Sequence, residues 1–124
     1  MSEIVAFGKE HHIRAGVILT CVGSLEQVTL RYANTGKATQ LNGHFEIVSL
    51  VGTFAEHSGE HIHLSVSDGQ GYTVGGHMLG GNKIYTTAEI VLGALDDVEF
   101  EREHDSTYGY AELAVHKKAS QDTA

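Results

Sequence analysis

Three histidines are spaced so that one β-hairpin could gather them around a metal ion. His61 and His63 stand one residue apart, and His77 follows further along the chain after two glycines. Successive side chains of a strand point to opposite faces, so His61 and His63 share one face. Imidazole is a ligand for Zn, Cu, Fe and Ni, and three histidines with an open fourth position are typical of a catalytic zinc site. The pattern predicts a metal site at His61, His63 and His77, with zinc as the cofactor.

A tight turn must bring the third histidine back to the first two. The segment Asp68-Gly69-Gln70-Gly71 has suitable residues, because glycine adopts positive φ without steric cost and aspartate hydrogen-bonds the backbone that follows it. We predict an antiparallel hairpin of residues 61–67 and 73–79. His63 would lie directly opposite His77, with the third histidine one diagonal step away. A slip by one residue would turn His77 to the other face and remove the site.

Three further residues are candidates for a role beside the metal. Either Glu60 or Glu89 could act as general acid or base, or could orient an imidazole. Arg31 could bind a ligand carboxylate through its planar guanidinium, and the alternative for it is a salt bridge to a neighbouring subunit. The alternative for the three histidines is hydrogen bonding to one another, to Ser65 and to water at a subunit surface.

Size, charge and cysteine content limit the functional class. With 124 residues the chain fits a single domain. Sixteen acidic residues against eight basic ones give a net charge of −8, and without a basic patch direct nucleic-acid binding is disfavoured. The single cysteine, Cys21, fits a reducing compartment and is predicted to be a small buried hydrophobic residue. No apolar run approaches the roughly 20 residues of a membrane helix, so we expect an intracellular, cytoplasmic protein without a membrane partner.

One helix followed by about seven short strands is predicted. The helix runs from Ser2, its N-cap, to His12. Apolar runs and alternation, broken by turns at Gly23-Ser24 and at residues 34–36, predict strands at 15–22, 28–33, 43–54, 61–67, 73–79, 84–95 and 98–102. In the first hairpin strand, Ile62, Leu64 and Val66 are expected in the core. These elements favour a mainly antiparallel sheet in an α+β domain.

Seven motifs, in a fixed order over nearly the whole chain, resemble those of one family. They are Gly16-Val-Ile-Leu-Thr, Gly23-Ser-Leu, Thr29-Leu-Arg-Tyr-Ala-Asn, Phe45-Glu-Ile-Val-Ser-Leu, His61-Ile-His-Leu-Ser-Val-Ser-Asp, Gly75-Gly-His and Thr86-Thr-Ala-Glu-Ile-Val-Leu. The family is the PPC domain, the plant and prokaryote conserved domain. The resemblance implies an α+β fold, with a strongly bent, mainly antiparallel sheet and one N-terminal helix, and a homotrimer.

The resemblance is to the prokaryotic branch of the family. In land plants such domains follow AT-hooks, in which an Arg-Gly-Arg-Pro core touches DNA, whereas this chain contains no proline. The prokaryotic branch keeps the histidines, and its fold is similar to that of acetolactate decarboxylase, a zinc enzyme. The positions that match its His-x-His and Gly-Gly-His elements are His61, His63 and His77. The acidic and arginine residues around the zinc of that enzyme do not map onto this chain.

The resemblance also gives an expected domain organisation. Residues 1–116 would form a single PPC-like domain, and residues 117–124 a polar tail that frays. Family members begin with a strand and a turn before the first helix, whereas this chain starts inside what resembles that helix. We therefore expect the N-terminal strand of the family to be missing. The exposed sheet edge would favour pairing or aggregation unless a neighbouring subunit covers it.

Three functions follow from these patterns. The favoured one is a homotrimeric, metal-binding PPC-domain protein that acts as a binding or assembly module; its physiological ligand is unknown, and a small molecule is a candidate. The second is a zinc-dependent enzyme, in which the metal polarises a carbonyl or activates water for a small oxygenated substrate. The third is a DNA-associated regulator that acts through partners.

Overall fold

One helix and seven strands make up the described part of the chain. The structure is a computed structural model, and it describes residues 2–118. Helix α1 spans Glu3–Glu10, and the strands are β1 (Gly16–Arg31), β2 (Ala38–Ala55), β3 (Gly59–Ser67), β4 (Thr73–Met78), β5 (Lys83–Ala94), β6 (Val98–Asp105) and β7 (Tyr110–Lys117).

Helix α1 begins as the sequence predicts and ends two residues earlier. The Ser2 hydroxyl accepts a hydrogen bond from the backbone N–H of Val5 at 3.2 Å, which makes Ser2 the N-cap. The helix stops at Glu10, and His12 adopts a positive φ of 53°, which turns the chain away from the helix axis. No helix within residues 2–118 is both long and apolar enough to cross a membrane.

Five antiparallel strands form one strongly bent sheet in the order β2-β3-β4-β1-β5, and β2 also pairs with β1. Strand β1 pairs with β2 along one edge, and with β5 and the end of β4 along the other. Register irregularities interrupt the β1 pairings, and such bulges bend a strand. The sheet therefore curls into a partly closed barrel, which confirms the predicted α+β class.

The core lies inside the curl of the sheet. Its fully buried side chains come from β1, β2 and β3, and they are Val28, Leu30, Phe54, Ile62, Leu64 and Val66. Ile62, Leu64 and Val66 are the alternate residues of β3 that the sequence assigns to the core. Ile4 of α1 belongs to the same buried cluster. Burial of one face of β3 leaves its other face, with the histidines, at the surface.

The predicted turn at Gly23-Ser24 is wrong, because β1 continues through it. The Ser24 hydroxyl is buried and hydrogen-bonds the Thr86 hydroxyl on β5 at 2.7 Å. A Cβ at Gly23 would overlap the carbonyl oxygen of Thr87. Glycine and serine serve here for close approach between two strands and not for chain reversal.

A second hairpin, β6–β7, forms a separate two-stranded sheet. Phe100 of β6 packs with Ala15 and Ala55 in a small second core. The sequence does not predict strand β7. Nearly all of its residues are exposed, so its sequence lacks the alternation of buried and exposed positions that marks a strand. It ends at Lys117, the first residue of the predicted tail, and the fraying expected there falls on residues 119–124, outside the described residues.

Candidate metal centre

The turn between β3 and β4 forms as its residues predict. The backbone N–H of Gly71 donates to the carbonyl of Asp68 at 3.0 Å, and Gly71 has a φ of 84°. The Asp68 carboxylate accepts hydrogen bonds from the backbone N–H groups of Gln70 at 2.9 Å and Tyr72 at 3.0 Å. These bonds hold the chain reversal and so set the register of the two strands.

The register brings three imidazoles together on the outer face of the sheet. His63 lies directly opposite His77, which confirms the predicted hairpin register. The ring centroids are 5.3 Å apart for His61 and His63, 5.2 Å for His61 and His77, and 5.8 Å for His63 and His77. One nitrogen from each ring lies within 4.8 Å of the others. The predicted histidines therefore form one cluster.

The donor set of this cluster fits a transition metal. Tetrahedral zinc bound at 2.0–2.1 Å needs nitrogens about 3.4 Å apart, which small side-chain rotations of surface histidines can provide. Ser65, the alternative hydrogen-bond partner for the histidines, is instead bonded to Ser49 at 2.7 Å between the two hydroxyl oxygens. A metal held by three imidazoles keeps a coordination position open for water or a ligand.

Electrostatics favours the metal-binding form of two of these imidazoles, those of His61 and His77. Burial lowers the pKa of His61, and the positive charge of Arg102 lowers it further, against a smaller opposing effect of Glu112. Burial also lowers the pKa of His77, and Arg31 acts in the same direction. A lowered pKa favours neutral imidazole at neutral pH, and only the neutral form ligates a metal.

A cavity of about 770 Å³ opens above the cluster. The three histidines, with Gly75 and Gly76, line one side, and the loop of residues 32–36 between β1 and β2 lines another. Tyr110, at the start of β7, contributes from the second hairpin. The volume lies within the range of ordinary small-molecule sites.

The three other predicted candidates occupy different places. Arg31 lines the cavity beside the histidines. Glu60 points to the opposite side of β3, where it accepts a hydrogen bond from the Ser2 hydroxyl and lines a second cavity under α1. Glu89 is exposed on β5, opposite Val22 of β1, and is not among the residues that line the histidine cavity. Of these candidates, only Arg31 joins the cluster.

The sequence does not predict that several other residues lie at this site. Arg102 and Tyr110 belong to the second hairpin, 25 and 33 residues beyond His77, and no local sequence pattern connects them to the histidines. The loop of residues 32–36 is recognisable as a turn, but its place on the cavity wall depends on how β1 pairs with β4.

Cys21 has a packing role, as its apolar surroundings predict. It is half-buried against the main core, and burial raises the pKa of its thiol. A raised pKa lowers the fraction of thiolate, the reactive form.

The model of the Plants and Prokaryotes Conserved (PCC) domain matches residues 1–96 of the chain. The chain belongs to this family. The matched part of the PCC domain runs from α1 through β5 and contains all three histidines, which confirms the resemblance read from the motifs. The β6–β7 hairpin lies beyond the matched residues.

This PCC domain is similar to part of a larger protein and to solved structures. It is 43% identical over 117 residues to the bifunctional protein GlmU of Synechococcus sp. (strain JA-3-3Ab), covering 94% of this chain but only 19% of that protein. A structure from Salmonella cholerae-suis superposes with a TM-score of 0.91 at 42% identity, over 94% of this chain and 84% of the other. A metal-containing protein from Archaeoglobus fulgidus shares the fold, with a TM-score of 0.75 at 24% identity over 90% and 82% of the two chains.

Proposed function

We propose that this PCC domain holds zinc at His61, His63 and His77 and acts as a metal-dependent binding module for a small molecule. The observation that carries this proposal is the convergence of three imidazoles at one side of a cavity of about 770 Å³. The metal would supply a Lewis-acidic position, and the cavity would select the ligand by shape and hydrogen bonding.

Two further observations support the metal. Burial and nearby arginines lower the pKa values of His61 and His77, so protons compete weakly for these nitrogens at neutral pH. The Archaeoglobus fulgidus protein of the same fold is described as metal-containing.

A binding role is favoured over an enzymatic one by the lining of the cavity. Within residues 2–118, the side chains that line it include no carboxylate. A zinc enzyme that activates water generally needs a base within hydrogen-bond reach of the reacting group. Glu60 and Glu89 lie elsewhere, so neither supplies that base within the subunit.

The module is proposed to assemble as a homotrimer. Strands β1 and β5 present large apolar side chains to water on the isolated subunit, among them Leu19 at 64%, Val22 at 62% and Val91 at 51% exposure. A cluster of this kind on adjacent strands is characteristic of an association surface. Rotational symmetry would bury the same patch in every subunit.

Metal analysis combined with light scattering tests this proposal. Protein purified without chelators, and again after soaking in zinc and removal of free metal, should carry one zinc per subunit and have three times the 13.3 kDa mass of the chain. Metal content near zero in both preparations would refute the metal site. A mass of 13.3 kDa at micromolar concentration would refute the trimer and leave the metal site standing.

A further inference from the structure

Arg31 is placed beside the histidines by the short pairing between β1 and β4. Arg31 lies directly opposite His77 in that pairing, and both residues line the same cavity. Side chains of directly opposed residues share a face of the sheet, with their Cβ atoms about 4.5–5.5 Å apart. The guanidinium is therefore a neighbour of the cluster, although its position lies 30 residues before the first histidine.

Arg31 forms no ion pair within the described part of the subunit. The arginine ion pairs found among residues 2–118 join Arg14 to Glu99 at 3.1 Å and to Glu101 at 3.9 Å, and none involves Arg31. Although the chain has twice as many acidic as basic residues, neither Arg31 nor Arg102 has a carboxylate ion-pair partner among the described residues. No carboxylate of residues 2–118 lines the cavity to serve as that partner.

Other groups around the cavity are suited to a polar, negatively charged ligand. Arg102 adds a second positive charge that lowers the pKa of His61 by more than the nearby Glu112 carboxylate raises it. Tyr110 and Asn34 line the wall and offer a hydroxyl and an amide group that can donate hydrogen bonds. With a divalent ion at the histidines, this side of the cavity would carry a concentrated positive charge in a chain of net charge −8.

We propose that Arg31 forms an oxyanion subsite next to the metal and that the ligand of this module is a small carboxylate or phosphate. The inference rests on the proposed metal site, because one oxygen of the anion would take the open metal position while another accepts from the guanidinium. Arginine suits this role because its planar fork of N–H donors matches carboxylate and phosphate oxygens in pairs. A lysine would offer the same charge without the fork.

Cobalt(II) substitution gives a spectroscopic test that needs no enzymatic activity. The visible absorption of the cobalt-loaded protein is titrated with glycolate, with inorganic phosphate and with glycolamide, the uncharged counterpart of glycolate. Glycolate or phosphate should shift the spectrum at concentrations at least about tenfold lower than glycolamide requires. Comparison of glycolate with phosphate identifies which oxyanion the subsite prefers.

Arg31→Gln should weaken binding of the preferred anion about tenfold or more while leaving the cobalt spectrum without anion unchanged. Arg31→Lys should restore part of the loss, since it returns the charge but not the fork. Lys37→Gln is the matched control. It removes one positive charge from the connection between β1 and β2, and Lys37 does not line the cavity. The affinity for the anion should therefore stay within about twofold of wild type.

Three results would overturn the inference. Wild-type protein that binds cobalt but responds equally to glycolate and glycolamide has no oxyanion subsite. Equal anion affinity in wild type and Arg31→Gln places the anion elsewhere. Failure of the wild type to bind cobalt at all overturns the proposed metal site and this inference with it, and the missing cobalt bands distinguish that failure from the other two.

Discussion

His63 and His77 face each other across β3 and β4, with ring centroids 5.8 Å apart and ring planes at 82°. Their backbones are fixed by the ladder and by the Asp68 turn, and the buried side chains of β3 anchor the hairpin from the opposite face. The two imidazoles are thus held near each other before any metal arrives. Pre-positioning of this kind lowers the entropic cost of bringing the histidine side chains together around a metal ion.

His63→Ala should lose bound metal and keep the fold. Two remaining imidazoles are too few to hold zinc firmly against water, whereas removal of an exposed strand side chain changes the free energy of unfolding by no more than about 0.5 kcal/mol. The measurements are zinc per subunit after dialysis and the midpoint of urea unfolding without metal. His104→Ala, which removes an exposed histidine outside the cluster, is the control and should bind zinc like wild type. Equal zinc content in both variants would show that the cluster is not the site.

Gly76→Ala should destabilise the protein and disturb the site. A Cβ at Gly76 would lie 2.6 Å from the backbone oxygen of Arg31, so β4 would have to move away from β1. We expect a loss of about 1–3 kcal/mol in the free energy of unfolding, together with weaker zinc binding.

Gly69→Ala is the matched control for that change. A Cβ at Gly69 meets no atom within 4 Å, so unfolding and zinc affinity should both remain close to wild type. If the two alanine variants unfold at the same urea concentration, the close approach of β4 to β1 is not what requires glycine.

The pH dependence of the metal-free protein follows from the lowered pKa values of His61 and His77. In the unfolded chain both titrate near about 6.5, so between the folded and unfolded pKa values the unfolded state binds more protons. Stability therefore rises with pH through that window and is lost as the pH falls through it. Ring resonances followed by NMR should titrate below about 6.5, and zinc binding should persist to correspondingly lower pH. Titration of both rings at or above that value would contradict this.

Val91→Glu should dissociate the proposed trimer. The substitution adds a second carboxylate to the exposed face of β1 and β5, two residues from Glu89, so burial in an interface would leave it unpaired beside a like charge. Light scattering should then give the 13.3 kDa mass of one chain. Val115→Glu makes the same change at a valine of similar exposure, 57%, on the second hairpin, and should keep the wild-type mass. A Val91→Glu protein with the wild-type mass would place the interface elsewhere.

The histidine hairpin could be predicted because its determinants are local. Strict alternation in β3, a turn segment with the right residues and a register that leaves only one face for the core all lie within about 20 residues. The N-cap of α1 is local for the same reason. The alternation of strand side chains also applies to Glu60. As the neighbour of His61 it points to the other face of β3, and the structure places it there.

The sequence by itself thus determined the α+β class, the core face of β3 and the convergence of His61, His63 and His77. Only the tertiary structure decided that Arg31, and not Glu89, joins them, and that Tyr110 completes the cavity wall. The difference is physical. Pairing within one hairpin depends on residues that are neighbours in the chain. The pairing of Arg31 with His77 depends instead on how far the whole sheet curls. The bulges of β1 and the packing of the core against α1 set that curl.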